Sequence, residues 1–375
     1  MLEKLKKLDW AVIFILFCLM VIGTLLINSS NKPAANYDTR HIIFFCLGFA
    51  VMIFFSLFDY RVLIKGAYYL YGFGILLLIG LIFFGIKLNG AKSWYDLQFI
   101  LFQPAELVKI ILIIMIAYLL KKRDGEVLTL VDDLIPIGLA VLVPFIIVIL
   151  QPDLGNAIIY IVIFIGMLWI GNLKYTYVLI SILLISIIAF ASFYLYQTFH
   201  EEIVVFLDEN EKGHWSKRID AILFPEAGGD RYHQDQAIMA IGSGGLLGEG
   251  YNQGIVTVPY DYSDSIFAIV GEEFGFIGSS LLLLLYFLLI YRLILIAIQT
   301  TDRAGAYIIV GITSMFIFQV FENVGMLIGI MPLTGITLPF ISYGGTSLLI
   351  NMMSIGIVMS IKVHQESPWM YDDEY

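Results

Sequence analysis

Charged residues are scarce in this sequence: Asp, Glu, Lys and Arg make up 14% of its 375 residues, where a soluble domain carries roughly 25%. So few charges cannot coat a water-facing surface, which excludes an ordinary soluble globular protein. Cysteine is rarer still. Only Cys18 and Cys46 occur, both inside apolar blocks, so no disulfide framework can hold external loops, and packing is their expected role. The histidines, His41, His200, His214, His233 and His364, are scattered without His-Glu-x-x-His or paired Cys/His spacing. That spacing argues against a structural zinc site. No Gly-x-Ser-x-Gly elbow of a serine hydrolase is present, and no basic run offers a surface for nucleic acid. Nor do apolar and polar residues alternate in the ~10-residue segments of a membrane β-barrel.

What the chain has instead is apolar length. Hydrophobic residues make up 60%, mean hydropathy is +0.90, and the apolar residues come in blocks long enough to cross a bilayer, about 20 residues as a helix. Backbone groups in lipid must pair internally, so helices are the expected spanning form. The expected fold is all-α: one polytopic membrane domain over residues 1–375 with about ten transmembrane helices. They fall near 10–28, 41–58, 66–85, 103–120, 134–150, 157–171, 177–196, 273–298, 306–329 and 347–362. The basic start Met1–Lys7 resembles a signal n-region, but the apolar stretch after Asp9 has full spanning length and Ile27-Asn28-Ser29-Ser30 is a poor cleavage site, so a retained first helix is expected. With the N-terminus inside, inner connections hold twelve Lys and Arg, and the short outer ones only Lys32, Arg40, Lys87 and Lys92. That bias places both termini in the cytoplasm.

One connection differs from the rest. Residues 197–264 form a large extracytoplasmic loop with twelve acids against Lys212, Lys217, Arg218 and Arg231. Trp215, Tyr232, Tyr251, Tyr260 and Tyr262 point to a packed or membrane-lying loop rather than a spacer, and long ordered loops are usually functional. Its glycine run, Gly242-Ser243-Gly244-Gly245-Leu246-Leu247-Gly248-Glu249-Gly250, lacks the Gly-Lys-Ser/Thr ending of a phosphate-binding loop. Tight backbone turning is its expected use.

Ionisable groups at membrane depth are expensive and therefore candidates for function. Glu106 and Lys109 stand three apart, on one face of the fourth span; a purely structural ion pair competes with a chemical role. Asp264, Glu272 and Glu273 are expected at the outer entrance of the eighth span, and Glu322 midway along the ninth. Ser263 and Asp264 precede an apolar helical run, so a helix cap is the plain alternative for Asp264. The residues alone lead to a membrane enzyme or transporter acting at the outer leaflet. No internal repeat is visible, which counts against a transporter.

Several segments then carry a resemblance. Asn89–Trp94, Phe102-Gln103-Pro104-Ala105-Glu106-Leu107-Val108-Lys109, Gln151-Pro152-Asp153-Leu154-Gly155, Ala240–Gly245, Ser263–Ala268, Gly271–Phe276, and Met331–Gly335 with Leu338–Gly345 occur in this order on ten spans. Over nearly its whole length the chain resembles the SEDS family, the RodA/FtsW/SpoVE membrane glycosyltransferases. Four positions depart from the usual pattern: Ser265 stands for a phenylalanine, Asn156 for a threonine, Ala105 for a serine, and Glu322 is an additional acid.

The resemblance implies a peptidoglycan glycan-strand polymerase in the bacterial cytoplasmic membrane, joining lipid II units at the outer face with release of undecaprenyl diphosphate. It implies Asp264 as the catalytic base. Glu106, Lys109 and Trp94 match family positions linked to activity, with Lys109 toward the diphosphate and Trp94 toward a sugar or the interfacial belt. Lys217 and Arg218 are further diphosphate candidates. The metal ligands are left open; a divalent cation, Mg²⁺ or Mn²⁺, is an expected helper, with no organic cofactor. A class B penicillin-binding protein, the transpeptidase, is the expected partner. A lipid II flippase and a non-catalytic scaffold for that transpeptidase are the rival readings.

Overall fold

Apolar blocks that must satisfy their own N–H and C=O groups fold as helices, and ten long ones coincide with the ten expected spans. The structure, a computed structural model, describes residues 2–30, 37–88, 91–98, 100–209, 220 and 231–365. In chain order the helices are α1 (Leu2–Lys6), α2 (Trp10–Ser29), α3 (Tyr37–Leu57), α4 (Tyr60–Lys65), α5 (Ala67–Phe84), α6 (Pro104–Lys121), α7 (Ile135–Leu150), α8 (Leu154–Ile170), α9 (Tyr175–Thr198), α10 (His200–Glu209), α11 (Tyr232–Ser243), α12 (Ile266–Gln299), α13 (Arg303–Leu327) and α14 (Gly345–Val363). Eight of these are long and apolar enough to cross a membrane, α7 together with the wider helical turn Leu130–Leu134 that leads into it. The other two expected spans are α6, which carries Glu106, Lys109 and Lys121, and the 17-residue α8. The chain is a multi-pass membrane protein.

Helices α6, α13 and α14 form the centre and are buried on most sides. By contrast, the described side chains of α9 are nearly all exposed and apolar around the whole helix, as suits a helix surrounded by lipid. One departure from a purely helical reading lies between α5 and α6. Strands β1 (Ile86–Leu88), β2 (Ala91–Asp96) and β3 (Leu101–Phe102) form a small antiparallel sheet in the order β1-β2-β3, with Ile86 opposite Trp94 and Tyr95 opposite Phe102. Strands this short leave too few residues for a visible alternation.

One end of the bundle is tied by ion pairs. Buried Asp9, which caps α2, accepts from Arg292 of α12 at 2.6 Å and from Lys362 of α14 at 2.7 Å. Asp302 accepts from the Tyr60 hydroxyl at 2.8 Å, and Arg123 donates to Asp133 at 2.6 Å.

The opposite end is built around a bend in α12, whose backbone leaves helical geometry at Gly275. The glycine run docks on this bend by backbone alone: Glu249 N donates to Glu272 O at 2.9 Å, Gly250 N to Glu273 O at 3.1 Å, and Phe276 N to Gly245 O at 2.9 Å. A Cβ at Gly248 would overlap the Glu273 carbonyl, and its φ of +84° is left-handed, so only glycine fits there. The expected tight turn is present, and its purpose is close approach to α12.

Two expectations about acids are corrected here. Glu272 and Glu273 lie inside α12, buried, rather than at its entrance. Glu272 accepts from the backbone N–H of Ile255 (2.6 Å) and Val256 (2.8 Å), and Glu273 accepts from the Ser29 hydroxyl. Glu322 is not midway along its helix but five residues from the end of α13, where it accepts from Thr334 at 2.9 Å. Glu272 and Glu322 are bound to loops at this same end, and Glu273 to the last residue of α2.

Candidate active site

Asp264 sits where the long connection meets α12. The turn before it closes on the Tyr260 carbonyl, which accepts from Ser263 N at 2.9 Å and Ser265 N at 3.3 Å. The helix starts one residue later than a cap at Asp264 would require: Ser265 holds the N-cap position, with no side-chain capping bond. The Asp264 carboxyl is thus released from capping and remains partly exposed. Desolvation pushes its pKa up to about 6, against a small opposing pull from its own backbone N–H.

The residues around it come from distant segments. Asn323, near the end of α13, donates through one amide nitrogen to the Asp264 carbonyl at 2.7 Å and to the Ile336 carbonyl at 2.8 Å. This fixes the loop between α13 and α14 against the start of α12. Gly335 of that loop (φ +75°) faces the carboxylate, since a Cβ there would stand 3.7 Å from Asp264 Oδ2. Tyr343 N donates to the Tyr262 carbonyl at 2.9 Å, and the rings of Tyr37, Tyr262 and Tyr343 gather at centroid distances of 4.7–6.1 Å. Gly335 of the first half of the Met331–Gly345 signature thus borders Asp264, and Tyr343 of the second half meets Tyr262, two residues before it.

A second polar cluster lies on the other side of the same loop. Gly155, at the start of α8, packs against Thr334 and Ile336. Asp153 caps α8 through Asn156 N at 3.2 Å and accepts from Gln103 Nε2 at 2.7 Å. One turn into α6, Lys109 Nζ lies 2.8 Å from Glu106 Oε2, with side-chain exposures of 0% and 8%. The pair is shut away, so in this state Lys109 presents no surface to a ligand. Trp94 is half-buried on β2, and its neighbour Ser93 donates to the Gln151 carbonyl at 3.2 Å. Lys217 and Arg218 lie outside the described residues.

The loop over residues 334–336 thus touches both Asp264 and the α8 start that adjoins Gln103. Among the described residues no group of three His, Cys, Asp or Glu side chains is placed to hold a metal ion. Two participants escaped the reading of the sequence, Asn323 and His233, whose ring meets the Ser265 hydroxyl; Gly335 stood in the Met331–Gly335 segment but was given no role.

Arranged this way, a partly desolvated carboxylate at the end of the bundle can take a proton from a hydroxyl held beside it. Comparison with known proteins adds the context. Residues 6–367 match the family described as "Cell cycle protein", FTSW_RODA_SPOVE. The chain is 33% identical to the peptidoglycan glycosyltransferase MrdB of Escherichia coli K12, over 96% of this chain and 94% of that one. It is 30% identical to the stage V sporulation protein E of Bacillus subtilis, over 96% and 98%. Among solved structures it superposes on a chain of a peptidoglycan synthase complex, described for its coordination of polymerization and crosslinking, with TM-score 0.79, 26% identity and coverage of 96% and 99%. The rod shape determining protein RodA of Thermus thermophilus superposes with TM-score 0.71 and 26% identity, covering 96% and 98%.

Proposed function

Because the chain belongs to the FtsW/RodA/SpoVE cell cycle protein family, we propose that it is a peptidoglycan glycosyltransferase that polymerises lipid II in cell-wall synthesis for cell shape or division. The observation that carries the reading is Asp264: a partly exposed carboxyl, free of helix capping, with its pKa raised to about 6. A hydroxyl of one precursor or chain attacks the anomeric carbon of another, the new glycosidic bond forms, and the bond to undecaprenyl diphosphate breaks. Asp264 takes the hydroxyl proton, which requires it within hydrogen-bond reach of that oxygen. Such a base works best when its pKa lies near the working pH.

The departing diphosphate needs positive charge. We assign this to Lys109, which reaches the diphosphate once its buried pair with Glu106 opens, with Lys217 and Arg218 on the loop and Trp94 toward the sugar. We keep a divalent cation as a helper held mainly by the substrate's own phosphates, since Mg²⁺ often binds only one or two carboxylates plus substrate phosphates; the acid-rich long loop is the source of such carboxylates in this reading. The cation would supply neutralisation of the leaving diphosphate.

We place both termini in the cytoplasm of the bacterial cell and Asp264 at the outer face, and the whole chain forms one domain in this reading. A class B penicillin-binding protein is the partner, a role supported by the superposed synthase complex, which couples polymerization to crosslinking. The test uses purified protein, labelled lipid II and a gel for polymer, with and without EDTA. Polymer in the presence of Mg²⁺ is expected. Movement of lipid II across vesicle membranes without polymer would replace this reading with a flippase, and neither activity would leave a scaffold.

A further inference from the structure

The residue after Asp264 departs from the family pattern, and the structure shows what it touches. Ser265 is fully buried, and a buried hydroxyl needs a hydrogen-bond partner. Its partner is His233, thirty-two residues earlier, near the start of α11. The same imidazole hydrogen-bonds the backbone of Pro259. Proline offers only a carbonyl there, so the ring donates to it. A neutral imidazole then has one lone pair left, and the Ser265 hydroxyl donates to that. The Tyr260 ring packs against the imidazole with centroids 5.8 Å apart.

His233 is itself held firmly. Its neighbour Gln234 donates to the carbonyls of Met326 at 2.8 Å and Met331 at 3.2 Å, which ties α11 to the end of α13. Further along α11, Ile241 packs on Gly271 of α12. One ring on an anchored helix therefore grips both ends of the turn 259–265, and Asp264 is the residue that this turn presents.

We propose that His233 and Ser265 are a positioning pair for Asp264, setting the carboxylate where the acceptor hydroxyl arrives without touching substrate themselves. This rests on the base role given to Asp264 above. A displacement of about 1 Å at a reacting group can cost roughly 100-fold in rate, so loss of the grip should appear in kcat. Polar satisfaction alone would leave kcat untouched.

The experiment measures lipid II polymerisation by the full-length reconstituted protein across substrate concentrations. Ser265→Ala and His233→Leu are each expected to lower kcat by roughly 10- to 100-fold with KM within about threefold. His233→Gln offers an amide donor and acceptor and should stay within about fivefold of wild type. The double variant Ser265→Ala with His233→Leu should be no slower than the slower single one, because both remove the same contact. Wild-type kcat in Ser265→Ala, a loss confined to KM, equal losses in the Gln and Leu variants, or multiplying losses in the double variant would each overturn the pair. Wild-type protein that makes no polymer would overturn the polymerase reading and the pair with it; a polymerising wild type with an unaffected Ser265→Ala overturns the pair alone.

Discussion

At the scale of single residues, an acid just before a helix would ordinarily turn its carboxylate to the helix N–H groups, and Asp264 does not, because the cap position falls to Ser265. Burial then raises its pKa to about 6, above the range of an ordinary aspartate. The base form is the carboxylate, present above that value and lost below it. The rate profile of kcat/KM should therefore have its acid limb near pH 6 and fall about tenfold per unit further down; activity level to pH 4.5 would contradict the role. The Glu106–Lys109 pair makes a second residue-scale prediction. Removing one partner strands a buried charge at a cost of about 3–5 kcal/mol, so Lys109→Ala is expected to reduce accumulation in the membrane as well as activity. Glu106→Gln with Lys109→Met removes both charges and should restore accumulation but not polymerisation; normal polymer from that variant would show the pair to be structural only. Asp264, Glu106 and Lys109 could be picked out in the sequence because each stands in a short motif. His233 could not, since a contact spanning thirty-two residues leaves no local pattern.

Among elements, the spans were readable because lipid demands long apolar blocks, and all ten have helices over them. The start of α12 was not. Glu272 and Glu273 look like a water-facing boundary, yet they lie inside the helix with their carboxylates bound to the Ile255 and Val256 N–H groups and to Ser29. Glu322 misled in the same way, its partner Thr334 lying beyond the helix end. Composition marks charge but not the loop that satisfies it. The glycine run was legible as a turn, while its docking on α12 required the fold. Gly248→Ala is expected to destabilise the protein by at least roughly 1–2 kcal/mol from its left-handed backbone alone, with overlap on the Glu273 carbonyl adding to that. Gly242→Ala is the control, having open space around it within α11. A thermal shift assay in detergent should show a lowered midpoint for the first and none for the second.

For the whole molecule, the two ends of the bundle are chemically distinct. One holds Asp9 with Arg292 and Lys362, and Arg123 with Asp133; the other holds Asp264, Gly335 and Asn323. The cationic end is the one that the positive-inside bias keeps in the cytoplasm. Reporter fusions at residue 125 and at the C-terminus should read cytoplasmic and one near residue 210 external; an external C-terminus would break the ten-span arrangement. In the orientation proposed above, Asp264 lies where the lipid-linked sugar arrives, and the proposed chemistry turns on it. The decisive measurement is polymer formation from labelled lipid II by Asp264→Asn, purified and reconstituted beside the wild type. Asparagine keeps the size and the hydrogen-bonding shape but cannot accept the hydroxyl proton, and loss of general-base help costs roughly 10²–10⁴-fold in rate. The variant is expected to fold, insert and bind its transpeptidase while making almost no polymer; polymerisation at the wild-type rate would contradict the assignment.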